Sequence, residues 1–141
     1  MKIMIPEPNT ADEDFEALLG QCGKPIGSGG TREAYAIPSH NDKVLKACKV
    51  PGYATNWTEI VVYLHVKDKS FFGCIHSWSR SGKFIVMERL DDIGVEEISG
   101  LEAPNWWTDR KRSNVGRSIS GELKLRDYAA LSIEPGVLFR F

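Results

Sequence analysis

Gly27-Ser28-Gly29-Gly30-Thr31-Arg32-Glu33-Ala34-Tyr35 lies between two stretches of strand composition, residues 24–28 and Arg32–Ile37, and its setting decides how the chain is read. Glycines let backbone N–H groups approach phosphate oxygens without a Cβ in the way. A strand, not a helix, follows the cluster. That excludes a Walker loop and a dinucleotide fingerprint, both of which open a helix. A flap laid over phosphates fits better. Glycine-rich hairpin loops are common and mostly structural, so the neighbouring segments must decide.

Upstream, Thr10 is placed to cap a short helix. Its first turn is acidic (Asp12, Glu13, Asp14), Phe15, Leu18 and Leu19 share a face, and Gly23 is a natural stop. Downstream, Pro38-Ser39-His40-Asn41-Asp42 has turn composition, residues 43–50 read as a strand, and Pro51-Gly52 breaks it. That strand carries Lys46 inside Val44-Leu45-Lys46-Ala47-Cys48. A lysine there is either an edge-strand residue facing water or a buried cation that needs an anion. Thr55 is expected to cap a largely buried helix running to about Lys67, with Glu59 on an otherwise apolar stretch. A Lys46–Glu59 pair would satisfy both charges and aim the ammonium at a phosphate. Lys49, three residues on, is the rival.

Residues 71–78 and 83–88 read as strands joined by the turn Ser79-Arg80-Ser81-Gly82. The order strand, strand, strand, helix, strand, strand predicts an α+β fold: five antiparallel strands with one packed helix. Beyond Leu90, residues 92–98 and 103–107 suggest short helices, and Ser120-Gly121 leads into a strand at 122–126. No internal repeat or low-complexity tract is present.

Two further clusters lie in this weaker half. Asp109-Arg110-Lys111-Arg112-Ser113-Asn114 is, by composition, a solvated basic loop. Gly121-Glu122-Leu123-Lys124-Leu125-Arg126-Asp127-Tyr128-Ala129 is a strand ending in a carboxylate, a suitable geometry for a hard cation. Mg²⁺ takes one or two protein oxygens alongside phosphate oxygens, so an Asn and an Asp suffice.

In their order these clusters resemble the protein kinases. That family places a glycine-rich loop, a strand lysine and a helix glutamate before a hinge, then a D-x-K-x-x-N loop and a strand ending in D-F-G. Asp109, Lys111 and Asn114 match the loop, and Asp127-Tyr128-Ala129 resembles D-F-G. Thirteen positions separate Asn114 from Asp127, similar to the family's spacing. Phe84-Ile85-Val86-Met87-Glu88-Arg89-Leu90 resembles the last strand and hinge.

The resemblance spans roughly residues 23–130 and implies one kinase-like domain over 1–141. Residues 1–22 would be a helical extension, 23–90 an N-lobe and 91–141 a severely truncated C-lobe. It implies ATP and Mg²⁺ as cofactors. Gly27, Ser28, Gly29 and Gly30 would cover the phosphates. Lys46 would meet the α/β-phosphates and Glu59. Glu88, Arg89 and Leu90 would offer backbone groups to adenine. Asp109 and Lys111 would be catalytic, and Asn114 and Asp127 would hold the metal.

This chain also departs from the family pattern. Arg32 stands at the third glycine of G-x-G-x-x-G, Trp107 at the histidine of H-R-D, and Ala129 at the glycine of D-F-G. Fourteen residues follow Asp127, so a peptide-cradling lobe is not expected. Such abbreviated chains resemble small phage-encoded kinase-like proteins. Two expectations follow: a serine/threonine-type phosphotransferase acting on protein hydroxyls, or an inactive module that grips and inhibits a host protein. Adjacent Trp106 and Trp107 suit an interface anchor. A homodimer could supply the surface the short C-terminus lacks.

Composition narrows the partners. A net charge of −1 gives no push toward nucleic acid or an acidic membrane. No apolar run approaches the ~20 residues needed to span a bilayer. The first five residues stop at Pro6, too short for a signal-peptide core, which places the expectation in a cytoplasm, that of the host if phage-encoded. Cys22, Cys48 and Cys74 contain no C-x-x-C pair, and His40, His65 and His76 are scattered, so a thiol or imidazole metal site is not expected.

Overall fold

The computed structural model describes residues 2–49, 52–98 and 112–128. The chain divides into two compact units, Met1–Thr58 with Ile75–Arg89, and Glu59–Cys74 with Leu90–Phe141.

The first unit is built on a five-stranded antiparallel sheet of order β1-β2-β3-β5-β4. Its strands are β1 (Gly27–Ser28), β2 (Arg32–Ile37), β3 (His40–Cys48), β4 (Ile75–Trp78) and β5 (Phe84–Glu88). The expected five strands are therefore present. β3 begins earlier than expected because the turn narrows to Pro38-Ser39, with Ser39 in the left-handed region at φ 67°. β4 begins later, because Asp68 caps Ser70 and draws Lys69–Phe71 into a 3₁₀ turn.

Alternation assigns the two faces of the sheet. Tyr35, Ile37, Leu45, Ala47, Phe84 and Val86 line one face and pack against Phe15 and Leu18 of helix α1 (Asp12–Leu19). The Phe15 and Phe84 rings stack at 6.1 Å. Burying a side chain such as Phe15 contributes roughly 1.5–3 kcal/mol. Ile3 and Ile5 join the same core. The N-terminal segment is fastened along β4 as well: Asn9 N–H donates to the Trp78 carbonyl at 2.8 Å, and Arg80 N–H to that of Thr10 at 2.8 Å. Residues 2–22 thus pack as part of this unit.

Both expected helix caps differ from what is found. The Thr10 hydroxyl turns back to the Glu7 carbonyl at 2.8 Å, Ala11 takes the N-cap position, and α1 ends at Gly20, not Gly23. Helix α2 (Ala54–His65) starts after Gly52 and Tyr53, both with positive φ, so Thr55 lies inside it. Asn56, Glu59, Ile60 and Val62 of α2 are buried, but Val61 (43%) and Leu64 (52%) are exposed, so the helix is less enclosed than its sequence suggested.

In the second unit, β6 (Val115–Arg117) and β7 (Leu123–Leu125) pair as an antiparallel hairpin. Gly121, at φ 94°, makes the turn, and its N–H reaches the Ser118 carbonyl at 2.9 Å. β6 was not expected from sequence. Among the described residues no helix is long and apolar enough to cross a membrane.

Candidate functional site

Lys46 lies on β3, between Ala34 of β2 and Ile85 of β5, and is 7% exposed. β3 is central, so the edge-strand reading fails. Leu45 and Ala47 face α1, and alternation therefore turns Lys46 to the opposite face of the sheet. Lys49 lies beyond the end of β3, is exposed, and donates to the Ser28 hydroxyl at 3.3 Å. Burial thus distinguishes the two lysines, because a buried ammonium carries the desolvation cost that an anion offsets.

The glycine cluster forms the exposed loop between β1 and β2, closed by Gly29 N–H on the Arg32 carbonyl at 2.9 Å. Arg32, where the kinase pattern has glycine, turns inward. Its Nη1 donates to Asn56 Oδ1 at 3.1 Å, and Asn56 Nδ2 donates to the Gly82 and Lys83 carbonyls at 2.9 Å each. The departure therefore ties the loop to the start of α2. A Cβ added at Gly30 would meet nothing within 4 Å, and one at Gly29 only the Arg32 carbonyl at 4.0 Å. Neither has a positive φ. Packing does not demand glycine at either position.

In the second unit the hairpin brings the two expected metal ligands together. Asn114 immediately precedes β6, and Asp127 lies two residues past β7. The Asn114 carbonyl accepts from Arg126 N–H at 2.8 Å and from Asp127 N–H at 3.4 Å. Two positions thirteen residues apart thus become neighbours at the open end of a ladder. Among the described residues no group of three or more His, Cys, Asp or Glu side chains gathers as a metal site. An amide and a carboxylate are nevertheless hard oxygen donors of the number Mg²⁺ accepts beside phosphates.

Glu59 is fully buried, and its Oε2 accepts the Tyr128 backbone N–H at 3.0 Å. Tyr128 is equally buried; its hydroxyl donates to the Gly73 carbonyl at 3.1 Å and its ring meets Phe72 edge-on at 5.0 Å. The segment carrying Asp127 is therefore anchored directly after that residue.

Three residues with positional roles went unnoticed in the sequence. Arg126 donates from Nε to the Ser113 carbonyl (2.7 Å), from Nη1 to the Leu90 carbonyl (2.8 Å) and from Nη2 to Asp92 Oδ1 (2.6 Å). Gly116 lets β6 approach Leu90 and Asp91; a Cβ there would lie 2.5 Å from the Leu90 Cβ. Arg117 exchanges backbone bonds with Asp91 at 2.9 Å, and hydrogen-bonding from its guanidinium holds the Glu97 carboxyl below the ordinary 4.5. A guanidinium one residue before an expected cation ligand was the one available sequence signal.

The expected adenine-facing segment is partly engaged. Glu88 ends β5 opposite Lys43, Arg89 N–H donates to the Asp42 carbonyl at 2.8 Å, and the Leu90 carbonyl is taken by Arg126. Each of these two backbone groups thus already has a partner within the chain, and the Leu90 carbonyl keeps a second lone pair. Asp109 and Lys111, with Trp106, Trp107 and Ala129, lie outside the described residues.

No family model and no curated protein matches the chain. Among solved structures it is similar to an apo pseudokinase, at a TM-score of 0.58 and 12% identity over 91% of this chain and 61% of that one. It is also matched to WbdD, solved with the kinase inhibitor LY294002, at a TM-score of 0.47 and 16% identity over 77% of this chain and 33% of that one. The chain spans about six-tenths of the pseudokinase's length and a third of WbdD's. The fold is kinase-like, and the five-stranded antiparallel sheet with its helices fits a kinase-like N-lobe.

Proposed function

We propose that the chain binds ATP with Mg²⁺ and transfers the γ-phosphate to a protein hydroxyl. One observation carries this reading: the β6–β7 hairpin sets Asn114 beside Asp127, giving two oxygen donors for a magnesium–triphosphate complex. The burial of Lys46 supports it, as do glycines at 29 and 30 that packing does not require. Lys46 meets the phosphates, and Gly27, Ser28, Gly29 and Gly30 cover them. Asn114 and Asp127 take the ion. Asp109 accepts the proton of the acceptor hydroxyl as its oxygen bonds the γ-phosphorus and the bond to the β–γ bridging oxygen breaks, releasing ADP. Lys111 stands by the transferred group.

Incubation with Mg²⁺ and γ-labelled ATP, alone and with cell lysate, tests the transfer. Label incorporation lost in Asp109→Asn and Asp127→Asn is the expected result. A thermal melt separates binding from chemistry, because a ligand of the native state raises the midpoint. No midpoint rise with Mg·ATP, and no incorporation, would overturn the reading.

A second reading has its own observation. Val61 and Leu64, one turn apart on α2, expose apolar side chains to solvent. In this reading the chain is an inactive kinase-like module that grips and inhibits a protein partner through that face. Capture of a partner that survives Asp127→Ala but is lost in Val61→Asp/Leu64→Asp would favour it over the phosphotransferase.

A further inference from the structure

We infer that Arg126 is a positioning residue that sets the spacing of the two cation ligands, an inference resting on the ATP–magnesium reading above. One guanidinium touches the residue before the first ligand and belongs to the residue before the second. Its Nε holds the Ser113 carbonyl at 2.7 Å, and its own backbone N–H holds the Asn114 carbonyl at 2.8 Å. Nη1 reaches the Leu90 carbonyl at 2.8 Å, so the open end of the hairpin is tied to the first residue of the Leu90 segment within the same unit. Nη2 closes the set on Asp92 Oδ1 at 2.6 Å.

These contacts differ in value. Asp92 is 90% exposed in its side chain, and an ion pair in water contributes little. The two carbonyl contacts are charge-assisted bonds from a side chain that is 22% exposed. A guanidinium offers its donors in a rigid planar fork, and a lysine ammonium does not. The grip on two separate carbonyls is therefore specific to arginine.

The consequence falls on the metal rather than on the nucleotide. Mg²⁺ demands near-octahedral geometry at short distances, whereas Ca²⁺ accepts more ligands in flexible arrangements. Loosening Ser113 against Arg126 should weaken Mg²⁺ more than Ca²⁺. It should leave nucleotide affinity at saturating Mg²⁺ unchanged.

The test titrates MgCl₂, and separately CaCl₂, into the full chain with a fluorescent ATP analogue, well below the unfolding temperature. Wild type, Arg126→Lys, Arg126→Gln and Asp92→Asn are compared. Both Arg126 replacements should raise the Mg²⁺ midpoint about tenfold, the equivalent of one lost charge-assisted hydrogen bond. The Ca²⁺ midpoint should rise less, and Asp92→Asn should match wild type. Should one Arg126 replacement fail to fold, the other carries the measurement. An unchanged Mg²⁺ midpoint, equal shifts for both cations, or an Asp92→Asn midpoint displaced as far as that of Arg126→Lys would each overturn the inference. A wild-type chain that binds the analogue without any cation dependence would overturn the ATP–magnesium reading itself, and this inference with it.

Discussion

The backbone N–H of Tyr128 donates to Oε2 of Glu59 at 3.0 Å, and both residues are fully buried. A buried amide left without an acceptor costs about 1–3 kcal/mol. Glu59→Ala should therefore lower stability by about that amount, measured by urea unfolding. Glu59→Gln retains a carbonyl oxygen and should cost less. Equal losses would show that the amide found another acceptor.

The approach of β6 to Leu90 leaves no room for a methyl group. Gly116→Ala would set a Cβ 2.5 Å from the Leu90 Cβ and 2.9 Å from the Asp91 carbonyl oxygen. Overpacking of this kind costs about 1–3 kcal/mol. Hydrogen exchange should show the loss as faster opening of the β6–β7 amides.

Two glycines of the first unit should respond in opposite ways. At Gly82 (φ +84°) a Cβ would fall 2.3 Å from Trp57 Nε1, which donates to the Ser81 carbonyl at 2.7 Å. Gly82→Ala combines backbone strain with a clash and should cost upward of about 2 kcal/mol. Gly30→Ala meets open space and should change stability by less than about 0.5 kcal/mol. Thermal melts of the two variants decide the point, and a nucleotide-dependent defect confined to Gly30→Ala would mark a loop built for a ligand.

The two candidate phosphate lysines can be separated by the rise in melting midpoint with Mg·ATP. Lys46→Met should abolish the rise, whereas Lys49→Met, at an exposed position beyond β3, should retain it. The reverse pattern would reassign the phosphate contact to Lys49.

Acid stability should depend on Asp12. Burial alone would push its carboxyl up, but hydrogen bonds from the Ser81 side chain and backbone and from Ser79, with the nearby Lys83 charge, hold it below the ordinary 3.8. A depressed folded value means that the stabilisation is complete above the unfolded value and is lost as pH falls through the folded one. Asp12→Asn should be less stable than wild type at neutral pH, and the gap should close below about pH 3.8. A gap that persists at lower pH would assign the loss to packing.

What the sequence disclosed follows from the range of each signal. Strand β5 declared itself through a nearly continuous apolar run and β3 through a mostly apolar one around Lys46. β2, which opens on Arg32 and Glu33, was readable from its place between the glycine cluster and the turn at Pro38. The Asn114–Asp127 separation was readable through its resemblance to the kinase spacing, and the hairpin is what turns that separation into adjacency. β6, only three residues with a glycine at its centre, carries too short a pattern to register. Thr10 and Thr55 were plausible caps by type, but a hydroxyl bonds whichever nearby group the tertiary structure offers. The grip of Arg126 on two carbonyls and the bond from Tyr128 to Glu59 involve main-chain groups, which no side-chain pattern announces. The engagement of Arg89 N–H and the Leu90 carbonyl was hidden for the same reason.

The hairpin also sets a rule about parity. Its solvent-facing tip around Ile119, which is 67% exposed, can lengthen by whole pairs of residues without disturbing either end. Loss of one residue from either arm would slip the ladder and separate the amide from the carboxylate. Kin of this chain would then be betrayed less by letters in common than by a separation between an asparagine and an aspartate that stays odd.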